Sequence, residues 1–266
     1  MPEPKILTLL TDFGLNDVYV GVMKGVIAQI NPTLTVVDLT HQIPPQNIAA
    51  GRFCLMSAYR YFPDETVHVA VVDPGVGGNR RAIALQFPSG FLVGPDNGLF
   101  GGILSQSPAI AAVELSNPDY WRVPTPSATF HGRDIFAPVG AHLSKGVSLQ
   151  QLGREIDLAS LVELPIPECK RIDRGVIGCI QYCDRFGNLV TNIPGSLVQG
   201  KFWSVEIAGE TILGCQTYSD SPVGSLIALV DSNGWVEIAV NGGNAQMRLQ
   251  VDLGALVRVL YRIAAV

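Results

Sequence analysis

Apolar residues in the first half of the chain gather into short continuous runs. Residues 5–10 form such a run, which is typical of a strand that is buried on both faces of a sheet. Similar runs recur downstream, each of a length that suits a strand better than a helix. The further strands predicted in this way cover residues 34–38, 66–72, 82–87 and 91–94. We expect the strand at 34–38 to be buried like the first.

Two segments that we predict to be helical lie between the first three of these strands. Apolar residues within 18–30 recur at intervals of three and four, and an Asn-Pro pair then ends the helix. Asn47 can cap a second helix that runs to about Arg60. The order strand, helix, strand, helix, strand favours right-handed crossovers. We therefore predict an α/β domain with a mostly parallel sheet over residues 1–160.

The pattern changes after the middle of the chain. Residues 161–174 contain two prolines and scattered charges, which is typical of a linker. From Gly175 onward, short β-rich runs are separated by Gly, Asn and Asp, and no amphipathic helix of useful length is evident. The clearest runs cover residues 175–181, 202–207, 225–230, 235–240 and 255–263. Such spacing predicts a smaller all-β domain over residues 175–266, built as a sandwich or a barrel.

Composition and charge exclude several classes of protein. Of the 266 residues, 47% are hydrophobic and 15% are charged, which is too apolar for a disordered chain. The 18 basic and 23 acidic residues give a net charge of -5 without a Lys/Arg cluster, which argues against nucleic acid or an anionic membrane as a partner. No apolar run approaches the ~18 residues of a membrane-spanning helix, and the run at 6–10 is too short for a signal peptide. These features favour a cytoplasmic enzyme or binding protein.

The cysteines favour the same compartment. The chain has five of them, an odd number without secretory features, which argues against a disulfide framework. They are Cys54, Cys169, Cys179, Cys183 and Cys215. The closest pair, Cys179 and Cys183, lacks the two-residue gap of a redox motif and has no second pair with which to bind zinc. We expect small buried apolar side chains, with a structural zinc site as the less favoured alternative.

Acidic and amide side chains follow the predicted strands. Asp12 and Asp17 follow the first strand, Asp73 follows the strand at 66–72, and Asn97 comes shortly after the strand at 91–94. In open α/β sheets, ligands bind at the carboxyl ends of the strands. Asp and Asn also cap helices and form turns, so a single one is ambiguous. Their recurrence at successive strand ends favours a site.

Two loops of the first half combine residues suited to ligand binding. Residues 73–81 contain three glycines, a proline and two adjacent arginines, and glycine allows the backbone to approach a ligand closely. The loop is neither a Walker motif nor a dinucleotide-binding motif. In the second loop, His131 is flanked by Gly, Arg and Asp, and it can act as an acid, a base, a ligand or a simple turn residue. We expect His68 and His142 to be structural and leave His41 open.

The β-rich half contains turns that also carry functional side chains. Asp184 and Asn188 lie in the segment 184–192, and Ser232 lies in a Ser-Asn-Gly-Trp sequence. Hairpin turns explain such sequences without any function. The amide of Asn188 can alternatively read the edge of a purine, because it offers a donor and an acceptor together.

The motifs of both halves, taken in order, resemble one family. They lie at residues 11–14, 73–77 with Arg80, 94–98, 130–134, and 186–188 with 191–193. Their joint order and spacing are similar to those of the S-adenosyl-L-methionine (SAM) hydrolases, also called SAM hydroxide adenosyltransferases, which are relatives of fluorinase and chlorinase. The resemblance covers nearly the whole chain, from Ile6 to about Arg262. It implies an α/β N-terminal domain, a β-barrel-like C-terminal domain, and a homotrimer with active sites between the N-terminal domain of one subunit and the C-terminal domain of the next.

The resemblance also implies a reaction and a set of site residues. The reaction is hydrolysis of SAM to adenosine and L-methionine, and we expect it to need neither a metal nor another cofactor. The catalytic Asp-Arg-His set of the family matches Asp73, Arg80 and His131. The implied substrate-binding residues are Asp12 for the ribose, Asp17 and Asp184 for the methionine amine, Asn188 for the purine, Tyr218 for packing on adenine, Ser232 for the methionine carboxylate, and Asn97.

Departures from the halogenating relatives favour water as the nucleophile. The halogenases carry Tyr at the position of Asp73, lack a His at position 131, and have Ser at the position of Gly132. Two further differences change the expected binding site. Val190 replaces an aromatic residue that covers adenine, and Asn233 replaces an Arg that binds the carboxylate. Tyr218 can then carry more of the stacking.

The chemistry of the sulfonium limits what the protein must supply. Sulfur leaves as a neutral thioether, so no general acid is needed, and the requirement is a nucleophile in line with the C5′–S bond. Asp73 and His131 are the candidates to accept the proton, and Arg80 would orient Asp73 and hold the nascent hydroxide. The alternatives are a halide-dependent transfer to the same carbon, a non-catalytic module that binds SAM or adenosine, and a metal-dependent phosphohydrolase that uses Asp12, Asp73 and His131.

Overall fold

The chain folds into two units, each with its own sheet and its own hydrophobic core. The computed structural model describes residues 5–262, and the units are Met1–Leu164 and Pro165–Val266. We call them the α/β unit and the barrel unit. The α/β unit contains strands β1 (Ile6–Thr11), β2 (Thr35–Thr40), β3 (Thr66–Val71), β4 (Ala82–Phe87), β5 (Gly90–Pro95), β6 (Ala111–Glu114) and β7 (Arg154–Glu155), and helices α1 (Tyr19–Ile30), α2 (Ile48–Ala58), α3 (Gly101–Leu104) and α4 (Ala137–Ser144). The barrel unit contains strands β8 (Lys170–Ile172), β9 (Gly175–Cys183), β10 (Leu189–Pro194), β11 (Phe202–Ile207), β12 (Glu210–Leu213), β13 (Leu226–Val230), β14 (Trp235–Val240) and β15 (Leu256–Arg262), and helix α5 (Ala245–Leu249).

The sheet of the α/β unit has the strand order β2-β1-β3-β5-β4-β6-β7. Strands β2, β1, β3 and β5 pair in parallel, and β5, β4, β6 and β7 pair antiparallel. The predicted α/β class is confirmed, but the sheet is mixed where we expected it to be mostly parallel. The reason is the link between β4 and β5: Pro88 and Ser89 alone join them, and a parallel crossover needs a dozen or more residues.

Both predicted helices of the first half are present. Helix α1 buries Met23, Val26 and Ile27, as the helical spacing predicted, and also Val20, whereas Tyr19 and Val22 of the same predicted pattern are exposed. Helix α2 begins after Asn47, whose side-chain oxygen accepts a hydrogen bond from the backbone N–H of Ala50 at 2.9 Å. Helices α1 and α4 pack on each other and contribute to the core of this unit.

Strand β2 differs from the expectation of a second buried strand. It lies at the edge of the sheet and pairs with β1 alone among the described strands. None of its six side chains is fully buried, and Thr35 and Asp38 are exposed. An apolar run can therefore also belong to an edge strand, since Val36 and Val37 are removed from water only in part.

The barrel unit is a nearly closed antiparallel sheet. Its order is β12-β11-β15-β9-β10-β14-β13, with β8 paired to β9. Gly214, just after β12, forms a bridge with Ala228 of β13, so the two ends of the sheet approach each other. The inward side chains form one apolar core, and the expected barrel-like architecture is confirmed. The predicted linker at 161–174 contains the short strand β8.

Two further expectations concern the cysteines and the membrane. Cys179 is buried, and Cys169, Cys183 and Cys215 are half-buried free thiols. Burial raises the pKa of each of these four thiols, which favours the neutral form. Among the helices at residues 5–262, none has the length and apolar character needed to cross a membrane.

Candidate active site

Three of the side chains singled out in the sequence meet in the α/β unit. Asp73 lies two residues beyond β3, Arg80 lies in the loop before β4, and His131 lies at the start of the helical segment that becomes α4. Nε of Arg80 is 2.9 Å from Oδ1 and 3.1 Å from Oδ2 of Asp73. Nη2 of Arg80 also contacts Asp73 and lies 2.7 Å from Nδ1 of His131. Arg80 therefore bridges the other two residues, and we call this group the Asp73–Arg80–His131 cluster.

The cluster is largely withdrawn from water. The side chain of Asp73 is 5% exposed and that of Arg80 is 10% exposed. The guanidinium also lies 5.4 Å from the ring centroid of Phe136, a fully buried residue. A buried charge needs a partner of opposite sign with good geometry, and the two-point contact between Arg80 and Asp73 provides it.

The contact with Arg80 determines the tautomer of His131. A guanidinium has only donors, so Nδ1 of His131 must accept the hydrogen bond, and the proton of the neutral ring is on Nε2. Burial and the charge of Arg80 lower the pKa of His131, and the opposing effects of Asp73 and Asp134 do not cancel this shift. His131 is therefore neutral near pH 7 and presents an Nε2–H donor.

The loop between β3 and β4 lies directly against the segment that precedes His131. Gly77 has a φ of +74°, and a Cβ at this position would lie 2.2 Å from the carbonyl oxygen of Ala128. Glycine is required there by its backbone conformation and by the lack of space for a side chain.

The two adjacent arginines of this loop have different partners. Arg80 belongs to the cluster, whereas Nε of Arg81 donates to Asp96 at 2.8 Å and Nη1 donates to Ser160 at 2.9 Å.

Asp134 anchors the loop that carries His131, a role that the sequence analysis missed. Its carboxylate accepts hydrogen bonds from Nε of Arg122 at 2.6 Å, Nε of Arg133 at 2.7 Å and the backbone N–H of Ser127 at 2.9 Å. Burial would raise the pKa of Asp134, but the bonds from Arg133, Arg122 and Ser127 outweigh it and hold the pKa far below its usual range. The adjacent Arg133 was the signal in the sequence for a paired, buried carboxylate.

Asp12 follows β1, and the backbone holds its side chain in place. Oδ2 of Asp12 accepts a hydrogen bond from the backbone N–H of Gln46 at 2.7 Å, and Gln46 has the left-handed φ of +63°. His41, left open above, supports the same loop. Nδ1 of His41 lies 2.9 Å from Oγ1 of Thr11, and its carbonyl oxygen accepts from the N–H of Gly14 at 2.7 Å.

Aromatic rings join the Asp12 loop to the His131 loop. The ring centroids of Phe13 and Phe130 are 5.9 Å apart, and Tyr19 packs edge-on against Phe130 at 5.2 Å. Asp17 lies close by in sequence and is exposed. The carboxyl ends of β1 and β3 thus present acidic residues at the same edge of the sheet, as expected for parallel strands.

Asn97 supports the backbone next to the cluster. Its Nδ2 donates to the carbonyl oxygen of Val72 at 2.8 Å, and its Oδ1 accepts from the N–H of Leu99 at 3.2 Å. The bond to Val72 connects the loop after β5 to the residue that precedes Asp73. The structure thus shows Asn97 supporting the backbone next to Asp73, and its predicted contact with substrate stays a prediction.

Asp184 and Asn188 meet in the turn between β9 and β10. Oδ1 of Asp184 accepts from the backbone N–H of Asn188 at 2.8 Å, and Oδ2 accepts from Nδ2 of Asn188 at 3.0 Å. Asn188 is 7% exposed, so its amide has a fixed orientation in a dry environment. The other candidates of this unit lie on separate turns, with Ser232 exposed between β13 and β14 and Tyr218 in the 3₁₀ turn Tyr218–Asp220.

Glu237 is a second residue that sequence reasoning missed. It lies in β14, is 4% exposed, and accepts a hydrogen bond from the hydroxyl of Tyr218 at 2.6 Å. The signal in the sequence was a single Glu within an apolar strand. No group of three or more His, Cys, Asp or Glu side chains among the described residues is arranged to hold a metal ion.

Comparisons with known proteins agree over nearly the whole chain. Residues 7–153 match the family model of the SAM hydroxide adenosyltransferase N-terminal domain, and residues 178–258 match that of the C-terminal domain. The chain is 43% identical over 257 residues to the (R)-S-adenosyl-L-methionine hydrolase of Salinispora arenicola, which covers 95% of this chain and 97% of that protein. A fluorinase of Nocardia brasiliensis is 24% identical, with 96% of each chain covered. The crystal structure of an uncharacterized conserved protein from Thermotoga maritima superposes with a TM-score of 0.89 at 35% identity, covering 96% of this chain and 99% of that one.

Proposed function

Because the chain belongs to the SAM hydroxide adenosyltransferase family, we propose that it hydrolyses S-adenosyl-L-methionine to adenosine and L-methionine. The observation that carries this proposal is the Asp73–Arg80–His131 cluster, which brings a carboxylate, a cation and a neutral imidazole together beyond the carboxyl end of β3. The relatives named (R)-S-adenosyl-L-methionine hydrolase support the (R)-sulfonium epimer as the substrate.

The proposed reaction needs one nucleophile and no general acid. The oxygen of a water molecule forms a bond to C5′ of SAM, and the C5′–S bond breaks. The electron pair of that bond goes to sulfur, which leaves as the neutral thioether of methionine, and the water releases a proton. The protein must therefore place the water in line with the C5′–S bond and stabilise its developing hydroxide character.

The geometry of the cluster divides these tasks among its members. Each carboxylate oxygen offers about two acceptor sites, so Asp73 keeps acceptor capacity beyond its contacts with Arg80. His131 presents an Nε2–H and can donate to the water oxygen, but it cannot accept a proton without losing its contact with Arg80. These features favour Asp73 as the proton acceptor, with His131 and Arg80 holding the water.

The remaining predicted residues would hold the two ends of the substrate. We assign Asn188 to the purine edge, since Asp184 takes only one of its amide hydrogens and leaves further donor and acceptor capacity. We keep the roles that the family resemblance implies for the others: Asp12 at the ribose, Asp17 and Asp184 at the amine, Tyr218 at adenine, Ser232 at the carboxylate, and Asn97 among the substrate-binding residues.

The proposal includes a homotrimer whose sites combine the α/β unit of one subunit with the barrel unit of the next. Large apolar side chains near Asp17 support a partner surface, with Leu15 63% and Val18 73% exposed. Phe186, beside Asn188, is 74% exposed and suggests a second contact surface in the barrel unit. Sedimentation should show a trimer, and a fully active monomer would contradict shared sites.

The free thiols support a cytoplasmic location.

The direct test is turnover in the presence of a chelator. Protein treated with EDTA and incubated with (R)-SAM should release adenosine and methionine in equal amounts, because the two-point contact with Arg80 already supplies Asp73 with a cationic partner and no metal ion is needed for that purpose. Asp73→Asn should abolish the release. Activity that depends on added Mg²⁺ or Zn²⁺ would contradict the proposal. Because fluorinases are among the relatives, the assay should include chloride and fluoride, and a halogenated nucleoside as the main product would favour halide transfer.

A further inference from the structure

Glu237 is a buried carboxyl group that the proposed mechanism does not use. Its neighbours in β14, Val236 and Ile238, point into the core of the barrel unit. Successive side chains of a strand point to opposite faces, so Glu237 lies on the other face of the sheet. It is nevertheless only 4% exposed. A carboxyl group in such a place costs free energy unless a specific contact compensates for it.

The direct neighbours of Glu237 on this face of the sheet are apolar. By strand register, Glu237 lies opposite Val190 of β10 and Leu229 of β13. Leu229, Ile227 and Ala239 form a small apolar cluster on this face, against which Cys215 packs. The family resemblance also implies that Val190 takes the position of an aromatic residue that covers adenine in the halogenating relatives. The carboxyl group therefore lies in a dry environment next to the expected place of the nucleoside.

Tyr218 is the hydrogen-bonding partner of Glu237. The hydroxyl donates to Oε1 at 2.6 Å, a short distance typical of a bond to an ionised acceptor. Burial and the contact with Glu237 raise the pKa of Tyr218, so the hydroxyl stays protonated and remains a donor. Asp220 fixes the same turn, with Oδ2 accepting from the N–H groups of Gln216 and Thr217. The hydroxyl end of Tyr218 is thus tethered, while the residue as a whole remains 41% exposed.

We infer that Glu237 is a positioning residue: its carboxylate fixes the ring of Tyr218 on which adenine packs, and thereby sets the affinity for the nucleoside part of the substrate. This inference rests on the proposed function, which places adenine against Tyr218. Glu237 acts through Tyr218 and touches neither the sulfonium nor the water. The aromatic ring would bind adenine best when its orientation is fixed before the ligand arrives.

The protonation state of Glu237 should make the binding of adenosine depend on pH. Burial, with smaller effects of Asp184 and Asp231, raises the pKa of Glu237 to about 7 despite the opposing effect of the Tyr218 hydroxyl. As the pH falls through this value, Glu237 gains a proton, and a neutral contact replaces the charge-assisted bond. Affinity for adenosine should then fall by about fivefold. This factor corresponds to the difference in free energy between a hydrogen bond to a charged acceptor and one to a neutral acceptor.

The other ionisable groups around Glu237 are few. Strands β10 and β13, which flank β14, carry no ionisable side chain. The segment with Tyr218 contributes Asp220 and Cys215, and the pKa of Cys215 is raised by burial. Helix α5 contributes Arg248, whose guanidinium donates to the carbonyl oxygen of Gly224. Together with Asp184 and Asp231, these are the groups that a pH experiment must distinguish from Glu237.

The experiment compares three proteins between pH 5.5 and 8.5. Calorimetry gives the Kd of adenosine, and steady-state kinetics give KM and kcat for SAM. The wild type should lose about fivefold in adenosine affinity between pH 8 and pH 6, with a parallel rise in KM. Glu237→Gln, which keeps an acceptor but cannot ionise, should bind adenosine with one pH-independent Kd close to the low-pH value of the wild type. Tyr218→Phe should also lose the pH dependence, because the ring stays but the tethered hydroxyl is gone.

Controls separate positioning from other roles. Glu210→Gln makes the same change at an exposed position of β12 and should keep the wild-type profile. In the double variant, Glu237→Gln should add nothing to the effect of Tyr218→Phe, since the two act through one bond. If Glu237→Gln fails to fold, as judged by circular dichroism, Tyr218→Phe alone tests the prediction, because it keeps the ring and the carboxyl group.

Three results would overturn the inference. A pH dependence retained in Glu237→Gln would assign it to another group. An increase of KM for SAM without any change in the adenosine Kd would mean that Glu237 attracts the sulfonium directly. Unchanged affinities at all pH values would leave Glu237 a structural anchor of the 3₁₀ turn. These outcomes differ from failure of the proposed function, in which the wild type itself releases no adenosine from SAM.

Discussion

Replacing Arg80 by lysine keeps the positive charge of the Asp73–Arg80–His131 cluster but removes its bridge. Nε and Nη2 of Arg80 contact Asp73, and Nη2 also reaches Nδ1 of His131 at 2.7 Å. The single ammonium group of lysine can pair with Asp73 but cannot reproduce this planar, forked contact. His131 would then lose the contact that fixes its Nε2–H tautomer and its orientation.

The expected loss can be estimated from the contact that disappears. Removing one preorganised donor from a site of this kind costs about 2.7–4 kcal/mol of transition-state stabilisation, which corresponds to a fall in kcat of about 10²–10³. Folding stability should fall much less, because Asp73 keeps a cationic partner. By contrast, Arg80→Met would leave the nearly buried carboxylate of Asp73 unpaired, at a cost of about 3–5 kcal/mol in the free energy of unfolding.

Single-turnover kinetics at saturating SAM, together with thermal unfolding, test this reasoning. Arg81→Lys is the matched control, since it makes the same change at the next residue, whose guanidinium contacts Asp96 and Ser160 outside the cluster. We expect Arg81→Lys to react at a rate within about threefold of the wild type, because it removes no contact to the reacting groups. A wild-type rate in Arg80→Lys would refute the bridge, as would equal losses in both variants.

Three further predictions address single residues. His131→Ala should lower the rate of adenosine formation by about 10²–10⁴ with little change in substrate affinity, because the residue acts on the water; a wild-type chemical rate in the folded variant would end this assignment. Asn188→Ala should weaken adenosine binding by about 1–3 kcal/mol in a calorimetric titration, because paired hydrogen bonds in a dry pocket are lost; an unchanged affinity would make Asn188 a turn residue only. Burial lowers the pKa of His68 to about 4, below its value near 6.5 in the unfolded chain, so the unfolded state binds the extra proton as the pH falls from 6.5 to 4 and stability should drop by about 3 kcal/mol. Urea unfolding of the wild type and His68→Gln at pH 4 and 7.5 measures this difference, and an equal pH dependence in both proteins would show that His68 does not cause it.

The sequence allowed much of the fold to be predicted, and the failures have local causes. Strand β1, helix α1 and strand β3 lie within a residue of their predicted bounds, because continuous apolar runs and helical spacing are strong signals. The antiparallel half of the α/β sheet begins at the short link between β4 and β5, which the predicted strand bounds 82–87 and 91–94 already implied and the expectation of a mostly parallel sheet did not take into account. The edge position of β2 is a property of the whole sheet.

The site shows a similar division. Asp73, Arg80 and His131 were singled out by type and by the family resemblance, and the structure brings them into direct contact. What the sequence could not supply is which polar groups lie in the interior. The sequence signals for Asp134 and Glu237, an adjacent Arg133 and an apolar strand around a single Glu, are weak, and only packing shows that these residues are 0% and 4% exposed.

The central claim is that water attacks C5′ of the sulfonium substrate, and turnover in ¹⁸O-enriched water tests it most directly. EDTA-treated protein, (R)-SAM and labelled water are incubated together, and the products are analysed by mass spectrometry. The account predicts adenosine with one ¹⁸O atom at its 5′-hydroxyl and methionine without label, because the new bond joins the oxygen of water to C5′. Unlabelled adenosine, label in methionine, or no adenosine at all would contradict it.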